Sequence, residues 1–299
     1  MRVLISGASG FVGSALTDAL RRAGHTVNRL VRSGGAGAPG DVGWDPVTGK
    51  MELAGIEGVD GIVHLAGASI ANGRWTESRK QVLRTSRVEA TRHLVNGLAR
   101  LARPPKVIVT ASAVGYYGNR GDEQLTETSS PGDDFLSQLA RDWEAEAQRA
   151  GQHGIRTVML RFGVILSATG GALPRMLLPF KLGAGGRLGS GQQWMSWLTL
   201  AEAVGFVRHA LESAGLSGAL NAVAPSPVRN TEFTNVLGRV LRRPTLFPAP
   251  AFALKLALGE MAEALLLSSQ RVIPARLQEQ GYEFAHMGLE GALRAVLKR

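Results

Sequence analysis

With 299 residues, 44% of them hydrophobic and 19% charged, the chain has the composition of a soluble globular protein. It is long enough to bury a large core, as one elaborated α/β domain or two lobes. It has no cysteine, which excludes disulfides and thiolate chemistry. The formal charge of +10 admits nucleic-acid binding or attraction of anionic phosphate ligands, but no run of five or six basic residues occurs. An arginine-rich surface without a nucleic-acid partner is the plainer reading.

Residues 2–6 (Arg-Val-Leu-Ile-Ser) form a short apolar run with β-branched members. They lead directly into Gly7-Ala8-Ser9-Gly10-Phe11-Val12-Gly13 and an amphipathic stretch. Strand, glycine turn and helix follow in the order that a dinucleotide-binding βαβ unit requires. Gly7 allows a sharp turn with positive φ, Gly10 a close approach of backbone to a pyrophosphate, and Gly13 tight helix packing. The first N–H groups of the helix, around Ser9, Phe11 and Val12, would face the phosphates. Glycine is abundant here (38 residues), so the G-x-x-G-x-x-G spacing gains its force from its position after a strand. A first core strand beginning at residue 2 leaves no room for a cleaved leader, and the expectation is a cytoplasmic protein. No stretch of 18 or more apolar residues suggests a membrane span; residues 249–267 come nearest and are interrupted by Lys255, Glu260 and Glu263.

The second strand is expected over residues 25–31, ending in Leu30-Val31-Arg32-Ser33 and a flexible glycine-rich loop at 34–40. NAD-preferring proteins place an acid at this strand end for the ribose hydroxyls. None lies between His25 and Gly40; Arg32 is there instead, suited to a 2′-phosphate, with Arg29 as a second candidate that strand alternation points elsewhere. Either Arg32 selects NADP over NAD or it is an ordinary surface arginine, and the absence of acid favours NADP. Residues 61–65 read as a buried strand ending at Ala66-Gly67-Ala68. The small residues there let a cofactor lie against Leu65, Ala66 and Gly67. Helical spacing follows over 78–101, then a strand at 106–110, a helix at 135–150 and a strand at 157–160. The alternation predicts an α/β protein with a Rossmann-type doubly wound parallel sheet. From Arg161 the pattern becomes irregular. The expected division is a dinucleotide-binding domain over 1–165, with some later segments returning to it, and a smaller C-terminal substrate lobe over 166–299.

Further motifs narrow the reading. The glycine turn, His64-Leu65-Ala66-Gly67 and Ser112 followed by Tyr-Gly resemble the extended short-chain dehydrogenase/reductase superfamily. Trp44-Asp45-Pro46, Arg74-Trp75-Thr76, residues 112–118, Trp143-Glu144, residues 189–194 and Pro227-Val228-Arg229-Asn230 are similar to its atypical epimerase family branch. That branch is sugar-nucleotide epimerase-like and often labelled SulA-like. Residues of about 243–290 look like its C-terminal extension, and the resemblance covers essentially the whole chain. It implies an NADP-type Rossmann fold with a C-terminal substrate lobe; the expected partner is a small-molecule substrate such as a nucleotide sugar, and the scattered charge and the hydropathy lead us to expect neither nucleic acid nor membrane. A homodimer is compatible with it and not required by it. The superfamily's Tyr-x-x-x-Lys pair is missing, because Phe135 and Leu139 occupy its expected place. Ala68 replaces an acid that often follows Leu-Ala-Gly, and Thr199-Leu200-Ala201-Glu202 replaces a His-x-Asp-Asp pattern.

Candidate catalytic groups are therefore Ser112, which sits where the superfamily's assisting serine belongs, and Tyr116 and Tyr117, just past a strand's C-terminal end. The competing reading packs one tyrosine against the sheet and leaves the other lining the pocket. Glu127 and Glu144 are candidate acids, Glu144 more naturally as a helix-face residue fixing a loop. Lys80 can substitute for the missing lysine or sit on a solvated helix face, and His64 reads as a satisfied core or pocket-edge histidine. Arg161 ends a strand facing the cleft, as a cofactor contact. Arg187, Gln192, Gln193 and Trp194 lie in a glycine-rich loop suited either to a polyhydroxylated or anionic ligand or to a plain surface-loop role. No metal-ligand spacing is present. Two functions remain open: an NADP-dependent oxidoreductase or epimerase-like enzyme, and a dinucleotide-binding regulator with little or no catalysis, linked by family labels to cell division.

Overall fold

The computed structural model describes residues 1–32 and 38–299. The glycine-rich loop expected at 34–40 falls in part outside the described residues. Seven strands form one sheet: β1 (Arg2–Ser6), β2 (Thr26–Arg32), β3 (Val42–Trp44), β4 (Gly61–His64), β5 (Val107–Ala113), β6 (Arg156–Phe162) and β7 (Gly218–Ala222). Their spatial order is β3-β2-β1-β4-β5-β6-β7, and every neighbouring pair is parallel. A sheet covered on both faces needs strands that are apolar on both sides. Val3, Leu4 and Ile5, Ile62 and Val63, and Ile108 and Val109 meet that need, each fully buried. The chain runs outward from β1 to β3 and returns on the other side of β1 to β4. That reversal places a topological switch point at the carboxyl ends of β1 and β4, where ligands of such sheets bind.

The longer helices are α1 (Phe11–Arg22), α2 (Glu77–Arg84), α3 (Ala90–Leu98), α4 (Phe135–Gln148), α5 (Leu173–Lys181), α6 (Leu200–Glu212), α7 (Asn230–Leu241), α8 (Ala251–Leu258) and α9 (Leu289–Leu297). The single helix expected at 78–101 is interrupted by a π turn, Thr85–Glu89, between α2 and α3. Leu16 and Leu20 of α1 and Phe206, Val207 and Ala210 of α6 cover one face of the sheet. Leu94, Val95 and Leu98 of α3 cover the other. Residues 218–222, within the stretch where the sequence pattern becomes irregular, are the seventh strand of the sheet.

A separate cluster built on Leu177, Trp197, Phe233, Leu237 and Leu293 holds α5, α7 and α9 together as a lobe beside the sheet. The C-terminal segment is fastened back to the main body. Arg271–Val272 pairs with Gln124–Leu125, and Tyr282 and Phe284 pack on Phe206 of α6. The Thr199–Glu202 segment has a structural role. Thr199 caps α6 by accepting from the Glu202 N–H, and the Glu202 carboxylate accepts from Ala285 N at 3.0 Å. Among the described residues no helix is long and apolar enough to cross a membrane.

Candidate functional site

Two strand ends carry the residues singled out by sequence. At the end of β1, Gly7 turns with φ of +72°, and a Cβ there would lie 2.9 Å from Ala66 N and Leu65 C. Gly13 is as constrained, since its Cβ would lie 2.1 Å from the Gly7 carbonyl oxygen. The first turn of α1 thus packs directly on the glycine turn. No side chain caps α1, whose N-cap is Gly10, so its first N–H groups face the turn. Gly170 and Gly171 close over the Phe11 ring, which leaves no room for a Cβ on either glycine. Beside the turn lies a cleft of about 470 Å³ lined by Ser9, Gly10, Phe11, Ser14, Thr169 and Gly170.

Strand register brings the remaining cofactor candidates to the same edge. Ser6 is opposite Leu30 in β2 and opposite His64 in β4. Arg32 therefore projects from the same carboxyl end as Gly7, as do Leu65, Ala66 and Gly67. Arg32 is exposed and holds no ion pair among the described residues. Arg29, the second candidate, is bound to Asp41 through Nε at 2.8 Å and Nη2 at 2.5 Å, which raises its pKa. His64 is the core histidine expected, lying 2.6 Å from Ser6 Oγ and 3.1 Å from Thr91 Oγ1. Trp143 Nε1 donates to the same threonine at 2.9 Å. Complete burial pushes the imidazole down to about 4, so it is neutral near pH 7.

The end of β5 is arranged differently. Ser112 is buried, and its hydroxyl donates to Glu144 Oε1 at 2.6 Å. Strand alternation turns the next residue, Ala113, outward instead. Arg161 does not face the cleft as expected: it is 4% exposed and forms a two-pronged pair with Glu144, both contacts at 2.8 Å. Burial opposes its charge, but the bonds and charge of Glu144 more than offset this and raise its pKa. Its third nitrogen donates to Tyr117 Oη at 2.9 Å and to the Glu127 carbonyl at 3.3 Å. Tyr117 in turn donates to Asn221 Oδ1 at 2.6 Å. Burial pushes the Tyr117 phenol up to about 12. Tyr116 is only half buried, its ring centre 3.5 Å from the Arg161 guanidinium carbon, and no hydrogen bond holds its hydroxyl among the described residues. Of the three proposed catalytic side chains, this environment leaves Tyr116 with a free hydroxyl and commits Ser112 and Tyr117 to a buried network.

The other candidates are also placed. Phe135 stacks edge-on against Trp75, and Leu139 is buried beside it. Lys80 pairs with Glu260 at 2.7 Å, which joins α2 to the C-terminal extension. Gln193 is buried, donating to the Leu188 and Leu266 carbonyls, while Trp194 lies between Arg229 and Arg271 and donates to Asp122. Both residues pin loops together. Glu127, a candidate acid, accepts from the Asn221 N–H at 3.0 Å, and burial raises its pKa. The sequence reading missed Arg87, which lies against Gly67 and donates to the Ala68 carbonyl at 2.9 Å. Its signal was present: no acid occupies the positions three or four residues away on either side (Leu83, Arg84, Ala90 and Thr91). Among the described residues, no group of three or more His, Asp or Glu side chains is placed to hold a metal.

A seven-stranded parallel sheet of this order, with a glycine turn at its switch point, defines a Rossmann-type α/β protein of the dinucleotide-binding class. The profile described as NAD dependent epimerase/dehydratase family matches residues 3–222, and one described as a domain of unknown function, DUF1731, matches 249–296. The chain belongs to the NAD dependent epimerase/dehydratase family. It is 43% identical over 291 residues to epimerase family protein Mb2239 of Mycobacterium bovis, covering 97% of this chain and 96% of that one. The crystal structure of human epimerase family protein SDR39U1 with NADPH is similar over 100% of both chains, with 37% identity and a TM-score of 0.91. A nucleoside-diphosphate sugar epimerase from Corynebacterium glutamicum is 36% identical with a TM-score of 0.82, over 99% of this chain and 58% of that one.

Proposed function

We propose that this protein binds NADP(H) at the switch point and passes hydride between the nicotinamide and a small polar substrate, without a Tyr-x-x-x-Lys pair. The observation that carries the reading is the constrained turn: Gly7 and Gly13 have no space for a side chain, and the uncapped helix they position offers its N–H groups to a pyrophosphate. Arg32, at the carboxyl end of the adjacent strand, supports the phosphorylated form of the cofactor. The NADPH in the human relative's structure supports the same choice. The Corynebacterium relative's name supports a nucleotide sugar as the substrate class.

The cofactor supplies the hydride at C4 of its nicotinamide. The chain's own contribution is positional and protic. Arg161 holds the Tyr116 ring from beneath, and the Tyr116 hydroxyl gives or takes the proton at the substrate oxygen. Purified protein with NADPH tests this against a panel of carbonyl compounds and UDP-sugars. Turnover that falls at least tenfold in Tyr116→Phe supports the assignment, whereas unchanged turnover removes Tyr116 from the chemistry. A second reading, a dinucleotide-binding regulator, is favoured by one observation: the Ser112 hydroxyl is bound to Glu144 rather than open to a substrate. NADPH binding with no turnover across the panel moves the conclusion to that reading.

A further inference from the structure

Ten large apolar side chains stand exposed among the described residues, and six of them gather on α5, α8 and the segment leading into α8. Leu178 in α5 and Leu182 just past its end are one turn apart, as are Phe252 and Leu256 in α8. Leu246 and Phe247 precede α8. All six are between 62% and 76% exposed, so each protrudes. Main-chain bonds hold these segments side by side. Phe247 N donates to the Gly185 carbonyl at 3.3 Å, Ala249 N to that of Arg187 at 2.9 Å, and Gly189 N to that of Ala249 at 2.8 Å. The far ends of both helices are tied to one loop. Arg175 at the start of α5 donates to the Ala71 carbonyl at 3.1 Å, and Arg74 donates to the Ala257 carbonyl at 3.0 Å. No residue of α8 is buried, so its ends are fastened while Phe252 and Leu256 stay in solvent. Contiguous apolar patches of this kind mark interaction surfaces.

The charge on these segments is one-sided. Residues 173–192 and 233–259 hold seven Lys or Arg and no Asp or Glu. Lys181, Arg187, Arg242 and Arg243 are exposed and form no ion pair among the described residues. Lys255, between Phe252 and Leu256, pairs with Glu263 at 2.8 Å, and Arg239 pairs with Glu290 at 3.3 Å. Glu260, just past α8, is taken by Lys80. The basic residues are scattered along the sequence, and the fold gathers them around the apolar side chains. Protruding Leu and Phe rimmed by free cations complement an anionic lipid surface: the apolar tips enter the acyl boundary and the cations meet headgroups. No spanning helix is needed, because a helix lying in the interface buries one face only. A second copy fits less well, since a two-fold contact sets the patch against itself and brings like charges together. A folded acidic protein would need a pocket for each protruding side chain, which a fluid acyl layer does not.

We propose that the face formed by α5, α8 and residues 246–247 seats the protein on an anionic membrane surface as a peripheral contact. Leu178, Leu182, Leu246, Phe247, Phe252 and Leu256 supply the apolar insertion, and Lys181, Arg187, Arg242 and Arg243 the attraction to headgroups. The contact is independent of the cofactor reading, because none of these residues belongs to the glycine turn or to the end of β5.

Flotation with vesicles of phosphatidylcholine alone and of equimolar phosphatidylcholine and phosphatidylglycerol tests the assignment. The variants are Phe252→Ser/Leu256→Ser, Lys181→Gln/Arg242→Gln/Arg243→Gln and, as an exposed apolar control on α2, Val82→Ser. Each is checked for an unchanged melting temperature, and by ultracentrifugation for its oligomeric state. The wild type should float with the anionic vesicles only. The apolar double variant should lose roughly tenfold or more in partition, since each side chain removed takes its transfer free energy with it. The basic triple variant should lose on the order of 100-fold, about fivefold per cation at low salt, and raised salt should release the wild type. Val82→Ser should float as the wild type does. A wild type that floats with neither vesicle, or equally with both, overturns the proposal, as does binding within about twofold of wild type in both patch variants. Binding to polyglutamate that equals vesicle binding and survives Phe252→Ser/Leu256→Ser would make the face a polyanion site and overturn the membrane. A wild-type dimer that the same variant dissociates, without vesicle binding, would assign the face to a second copy instead.

Discussion

The ends of β1 and β5 stand two strands apart in one sheet and are built on opposite principles. At β1 the site is made by missing side chains: Gly7 and Gly13 let the turn, the Leu65–Ala66 backbone and the first turn of α1 pack together where a Cβ would clash. At β5 the equivalent space is filled, with Ser112, Glu144, Arg161, Tyr117 and Asn221 joined into a buried network. The first end is open to a ligand and the second is closed around its own charges. The open end is therefore built without any side chain of the closed one. A site made of backbone geometry persists while the side chains that would use it change, because the helix N-terminus and the turn hold each other regardless of what β5 carries.

The largest expected effect breaks the closed end. Glu144→Ala leaves the Arg161 guanidinium buried without its carboxylate, which costs about 3–5 kcal/mol. Urea denaturation measures it, and a loss below about 1 kcal/mol would mean that water already reaches the pair. Replacing both partners together, Arg161→Met with Glu144→Leu, should recover most of the stability, since an apolar pair has no charge to strand. NADPH affinity should barely change in that double variant if the two strand ends are independent.

Acid tests the wall between the two ends, where His64 joins Ser6 of β1 to Thr91 of α3. The folded imidazole titrates at about 4, below its unfolded value of roughly 6.5. The unfolded chain therefore takes up the proton first. Stability is complete above about pH 6.5 and declines as the pH falls toward 4, by on the order of 3 kcal/mol in all. Denaturation midpoints at pH 7 and pH 4.5 for wild type and His64→Asn read this out. The variant should lose less between the two values, and an equal loss would clear His64 of the effect.

What the sequence revealed divides along the same line. The open end was legible because its determinants are local: Gly7, Gly10 and Gly13 follow an apolar strand within seven residues, and Arg32 stands at the next strand end without an acid. The alternation of strands and helices was legible from apolar periodicity as far as Arg161, while the seventh strand, residues 218–222, lies in the stretch where that periodicity becomes irregular. The closed end was not legible, because its partners are distant in sequence. Ser112 meets Glu144 32 residues away, and Tyr117 meets Asn221 104 residues away. Nothing in the spacing reveals that Arg161 turns inward to the one carboxylate that neutralises it. Serine and arginine at a strand end looked like an active site because the same residue types serve either purpose.

Two smaller effects sharpen the comparison from either side. At the open end, Arg32→Ala should weaken NADPH binding by roughly 10- to 100-fold, the value of one charge-assisted hydrogen bond, and leave NADH nearly unchanged. Raising the salt concentration should narrow the wild-type gap, because this guanidinium is exposed and screened. Calorimetry with both cofactors measures it, and a variant that still prefers NADPH would place the selectivity elsewhere.

The smallest effect belongs to Tyr117. Its hydroxyl donates to Asn221 Oδ1 at 2.6 Å and accepts from Arg161 at 2.9 Å, closed to solvent. A phenol held near 12 by burial and bonded on both sides is a poor source of protons at neutral pH. Tyr117→Phe should leave one acceptor and one donor without partners and lower stability by about 1–2 kcal/mol, with NADPH affinity and turnover intact. Tyr116→Phe should do the reverse, because no hydrogen bond holds that hydroxyl among the described residues: stability holds and any turnover drops. Thermal melts and NADPH oxidation on the two single variants separate these outcomes. If Tyr117→Phe abolished turnover at full stability, the end of β5 would be a working site that opens, and its closure in this conformation would be one state of a moving part.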